Sequence, residues 1–75
     1  MRQHRELERK WDELMLMCRR EKEWRSGGTH SKLVALLERD ITALAAELGF
    51  SPRQIASREF RAQREDGRIV RLITE

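Results

Sequence analysis

The chain is poor in the residues that build small disulfide-rich or turn-rich folds. A single cysteine, Cys18, excludes an intramolecular disulfide, and the simplest expectation is a reducing compartment, the cytoplasm. One proline and four glycines leave little material for a β fold dense in turns. Tyrosine is absent, and the aromatic residues are two Trp and two Phe. No apolar run approaches the roughly 20 residues of a membrane span, so no membrane partner is expected. The N-terminal residues lack the apolar centre of a secretory signal. Charge of one sign is also missing: 16 Lys and Arg are interspersed with 13 Asp and Glu, for a net charge of +3. That balance permits nucleic-acid binding without requiring it.

What is present is a helical pattern. Hydrophobic residues make up 39% of the 75 residues and charged residues another 39%, too apolar for a disordered chain yet polar enough to wet one face of every helix. Chains this short bury only about 60% of their unfolded surface, so a second copy of the chain is a candidate partner. Leu7, Trp11, Leu14 and Cys18 recur at helical spacing, broadened by Met15 and extended sideways by Leu16 and Met17. The spacing predicts a helix from Arg2 to about Trp24. Ser26-Gly27-Gly28-Thr29-His30 breaks it, with a glycine as C-cap and Thr29 or Ser31 as the next N-cap.

Residues 31–48 carry Leu33, Val34, Leu36, Leu37, Ile41, Leu44, Ala45 and Leu48 at helical spacing, the strongest core candidate. They form one helix or, with a corner at Asp40 or Thr42, two. Gly49 ends the block. Ser51 then caps a helix with Pro52 at its first position, expected to run to about Glu65 with Ile55, Ala56 and Phe60 inward. Asp66-Gly67 is a turn signal, and residues 68–74 favour an extended strand with no partner strand in the chain. The expected fold is therefore all-α: a single domain of three to four helices with a short C-terminal extended segment.

The segment Thr42–Phe60 resembles the helix-turn-helix of DNA-binding regulators, including their winged form. Ala45 is small where two helices must approach, Gly49 suits a turn residue with positive φ, and Leu44, Leu48, Phe50 and Ile55 close the wedge. Arg58 departs from the pattern, standing where that family usually has an apolar residue. The resemblance implies that helix 52–65 is the recognition helix. Its outward residues would be Arg53, Gln54, Ser57, Arg58, Arg61 and Arg64, with Arg68 and Arg71 extending the basic stripe. Arginine grips guanine edges or phosphates, glutamine reads adenine, and serine contacts phosphate. Duplex DNA is then the expected partner and the function regulatory rather than enzymatic.

The rival reading is a protein-interaction module, such as a small inhibitor or adaptor of the type mobile elements encode. Leu16, Met17 and Trp24 on the first helix are its candidate contacts. Trp11 falls on the apolar stripe and is expected in the core. His4, His30 and Cys18 match no zinc spacing, and no residue is placed to activate Cys18 as a nucleophile, so no metal, cofactor or catalytic residue is expected.

Overall fold

A computed structural model of the chain describes the backbone of residues 2–75 and the side chains from Arg5 onward. Among the described residues, helix α1 spans Arg2–Ser26, α2 Ser31–Glu47 and α3 Pro52–Ser57, followed by strands β1 Ala62–Glu65 and β2 Arg68–Leu72. The fold is mostly helical but not all-α, because the two strands pair antiparallel in one hairpin.

Three local devices stop the three helices in the same way. After α1, Gly28 takes φ +73° and the Thr29 N–H donates to the Trp24 carbonyl. After α2, Gly49 takes φ +98°, the Phe50 N–H donates to the Ala45 carbonyl and the Gly49 N–H to that of Ala46. Both are left-handed closures that satisfy carbonyls a helix end leaves open. α3 ends identically, but with an arginine in the glycine position. Arg58 takes φ +58°, and Glu59 and Arg58 donate back to the Gln54 and Ile55 carbonyls. The helix expected to run to Glu65 therefore stops at Ser57, and residues 62–65 are strand.

The helix starts follow the sequence more closely. Ser51 and Gln54 form a reciprocal capping box around Pro52. α2 is capped by neither Thr29 nor Ser31 but by His30, whose ring accepts the Lys32 N–H at 3.1 Å. Residues 31–47 are one unbroken helix with no corner near Asp40, because Ile41 sits at the centre of its buried face and is fully enclosed.

The segment expected to lack a strand partner finds one. Asp66 and Gly67, at φ +51° and +76°, make a two-residue turn of the type whose twist matches paired strands. The register slips between Gln63 and Arg64, leaving Val70 as an extra residue on β2. This bulge allows Ile69 and Leu72, three apart, both to face inward, while Val70 faces out. The Ile69 N–H, on the outer edge of β2, donates to a Glu8 carboxylate oxygen of α1 at 3.2 Å. That contact occupies an edge amide that would otherwise invite another strand.

The core joins four elements and one connection: Trp11 and Leu14 from α1, Leu37, Ile41 and Ala45 from α2, Phe50 before α3, Ile55 from α3 and Ile69 from β2, with Ala62 of β1 packed against it. Phe50 stands between Trp11, 6.4 Å away between ring centres, and Phe60, 5.0 Å away edge-to-face. Val34 is also buried, but Leu33 and Leu36, expected in the core, are 50% and 52% exposed. Ala56 is exposed as well. The reason is geometric: α1 and α3 cover one side of α2, and Leu33 and Leu36 lie beyond it.

Candidate nucleic-acid interface

The residues expected on a recognition helix are split among three situations. Arg53 is on α3 and exposed, but its guanidinium is occupied. Its Nη1 and Nη2 donate to the Glu59 carboxylate at 3.2 and 3.1 Å, and its Nε and Nη2 donate to Glu75, the former at 2.7 Å. The Ser51 hydroxyl donates to the same Glu75 side chain. The pairing raises the Arg53 pKa and holds both carboxyls below their usual range, in each case chiefly through hydrogen bonding with Arg53.

Gln54 does not point outward. It is buried, donating through Nε2 to the Ile73 carbonyl at 2.9 Å and accepting the Ser51 and Glu75 N–H groups at 3.1 and 3.2 Å. It sews the C-terminal segment to α3. Ser57 turns its hydroxyl onto the Arg53 carbonyl at 2.7 Å.

Arg58 reaches across to α1. Its Nε and Nη2 donate to the two carboxylate oxygens of Glu21 at 3.0 and 2.9 Å, a bidentate pair between residues 37 apart in sequence. The Glu21 side chain is only 10% exposed and that of Arg58 28%. The guanidinium holds the Glu21 carboxyl below its ordinary value, while burial pushes the neighbouring Cys18 thiol up. Arg25 adds a longer contact to Glu21 at 3.5 Å. The departure from the helix-turn-helix pattern at position 58 is thus a fold contact. In the sequence Glu21 looks like an ordinary solvated carboxylate, because nothing in its local pattern points to residue 58.

The remaining arginines gather on and beside the hairpin. Arg61 precedes β1, Arg64 is on β1, and Arg68 and Arg71 are on β2. All four are exposed. Arg64 donates to the Gly67 carbonyl at 3.4 Å and Arg71 to the Gln63 side chain at 2.6 Å. Among the described residues, none of the four has a carboxylate within 4.0 Å. In the pleat, Gln63 and Arg71 are cross-strand partners, as are Glu65 and Arg68. The sequence pattern assigns Arg61 and Arg64 to a helix; instead Arg61 precedes β1, and Arg64 pairs with Ile69, on the other side of the pleat from Arg68 and Arg71.

The residues weighed for protein binding are also separated. Leu16 is 46% exposed, whereas Met17 and Trp24 pack partly against the core from the side of α1 facing α2. Trp11 is buried. Among the described residues no group of three or more His, Cys, Asp or Glu could hold a metal ion, and no helix is long and apolar enough to cross a membrane. The His4 side chain lies outside the described residues. No protein-family model matches the chain, and comparison with curated proteins and with solved structures gives no significant match.

Proposed function

We propose that the protein binds duplex DNA in a regulatory role in the cytoplasm, with the β-hairpin rather than α3 as its main contact. The observation that carries this reading is the four exposed arginines, 61, 64, 68 and 71, that lack carboxylate partners among the described residues. A two-stranded ribbon fits the major groove as a helix does, and arginine neutralises phosphates or grips guanine edges there. α3 is a poor reader by comparison. Its six residues span about 9 Å at 1.5 Å each, its glutamine is buried, and Arg53 is already neutralised.

The test is anisotropy of a short random-sequence duplex titrated at several salt concentrations. Binding should weaken steeply with salt. Arg64→Gln with Arg68→Gln should flatten the slope of log K against log salt by about 1.8, at roughly 0.9 per phosphate contact. Arg53→Gln should change it far less. Salt-insensitive binding, or a slope untouched by the hairpin pair, refutes the reading.

A second reading, a protein-interaction module or self-associating chain, is favoured by Leu33, Leu36 and Leu16, each about half exposed on the helical hairpin. Under it, Leu33→Ser with Leu36→Ser abolishes association measured by sedimentation, and unchanged association refutes it.

A further inference from the structure

Arg19 and Lys22 stand on α1, three residues apart and therefore on one side of the helix. Both are exposed. They line a cleft of about 410 Å³ with Met15, Cys18, Glu21, Arg58 and Phe60. The cleft's one carboxylate, Glu21, is already committed to Arg58 and Arg25. Glu23 lies four residues beyond Arg19, yet among the described residues neither Arg19 nor Lys22 has a carboxylate within 4.0 Å. The rim thus carries two uncompensated positive charges. Phe60, also lining the cleft, is followed by Arg61, the residue before β1. From there the hairpin runs back along α1 until Ile69 meets Glu8. Of the hairpin's exposed arginines, Arg61 directly follows Phe60 and so adjoins this rim, whereas Arg64 and Arg68 flank the turn at the other end.

We propose that Arg19 and Lys22 contact phosphates of the same duplex that the hairpin engages, so that the DNA crosses the base of the hairpin and runs over α1. The inference rests on the DNA-binding reading above. It gives α1 a share of the binding surface in addition to its place in the core. The cleft favours a polyanion by charge, and two cations at this spacing, about 5–6 Å between Cβ atoms, serve neighbouring phosphates of one strand. Their role is positional: they fix the track of the duplex and carry no base readout.

The full-length chain is titrated with a short random-sequence duplex at several salt concentrations, as wild type and as four double variants. Arg19→Gln with Lys22→Gln should flatten the log K against log salt slope by about 1.8, as the hairpin pair Arg64→Gln with Arg68→Gln does. Lys32→Gln with Arg39→Gln, which removes the same charge from exposed positions on α2 away from the core, should leave the slope unchanged. The charge-preserving Arg19→Lys with Lys22→Arg should retain the wild-type slope. Far-UV circular dichroism confirms that each variant is folded. A wild-type slope in the Arg19/Lys22 variant overturns the inference while leaving the hairpin reading intact. An equal loss in the Lys32/Arg39 variant also overturns it, since net charge alone would then be responsible. Absence of salt-sensitive binding by the wild type overturns both.

Discussion

Replacing Arg58 by alanine and by glycine separates the two demands this residue meets. The first is electrostatic. Alanine removes two charge-assisted hydrogen bonds to Glu21, of 3.0 and 2.9 Å, and leaves a carboxylate that is only 10% exposed. Stripping the partner from a fully buried pair costs about 3–5 kcal/mol. Here Arg58 is 28% exposed and Arg25 remains 3.5 Å from Glu21, so the expected loss is lower, about 2–3 kcal/mol. The second demand is conformational. At φ +58° any side chain carries a steric cost of about 1–2 kcal/mol that glycine escapes, partly offset by glycine's greater unfolded-state freedom. Arg58→Gly should therefore be more stable than Arg58→Ala by about 0.5–1 kcal/mol, though both lose the ion pair.

The pair also sets a pH dependence. Because Arg58 depresses the Glu21 pKa, the unfolded chain binds more protons between the folded and unfolded values, and stability rises with pH there. The pair's contribution is fully present above the unfolded carboxyl value of about 4.3 and is lost as pH falls through the lower folded value. Urea unfolding followed by circular dichroism, at neutral pH and below pH 4, measures wild type and both variants. The gap between wild type and Arg58→Ala should shrink in acid. Alanine at least as stable as glycine, a neutral-pH loss under about 0.5 kcal/mol (the range of an ordinary surface change), or a gap that ignores pH would show that Arg58 does not meet these two demands.

Two further substitutions probe the packing and the turn. Ile41→Ala removes a fully enclosed side chain where α1, α2 and the Phe50 segment meet, and urea unfolding should register a loss of about 3–4 kcal/mol. A loss under about 1 kcal/mol would mean the core is looser than its burial indicates. Gly67→Ala meets no atom within 4 Å, so its cost is purely that of a side chain at φ +76°, about 1 kcal/mol, with the hairpin's cross-strand contacts retained by NMR.

The helical half is legible in the sequence because its signals are local. The Ser51 cap before Pro52 and the glycine stop at Gly49 are short-range chemistry, each readable from a few neighbouring residues, whereas Gln54 reads as an outward residue and instead closes the capping box. The α1 stripe through Trp11 and Leu14 likewise reaches the core. Leu33 and Leu36 mislead because periodicity marks every apolar position alike, whereas only the side of α2 covered by α1 and α3 is buried. The segment Ala62-Gln63-Arg64-Glu65 misleads for a different reason. All four residues are strong helix formers, and their propensity favours extending α3. Pairing with β2 across the Asp66-Gly67 turn overrides that preference of a few tenths of a kcal/mol per residue. The turn dipeptide is visible, but its partner strand is hidden by composition.

The arginine-rich C-terminal third is likewise visible as composition but not as a surface. Six arginines follow residue 50, and their number alone suggests a polyanion partner. Which of them are available depends on where the carboxylates fall. Glu59 and Glu75 close on Arg53, and Glu21 closes on Arg58 from the other end of the chain. The start of α3, two of the three helix stops, the apolar stripe of α1 and the total charge are fixed locally, by residues within a turn or two or by simple counting. Tertiary contacts alone set the end of α3 at Ser57, the hairpin of residues 62–72, and the loss of Arg53 and Arg58 to carboxylates while Arg61, Arg64, Arg68 and Arg71 stay exposed. Those outcomes depend on contacts between residues tens of positions apart, where burial and charge pairing outweigh local preference.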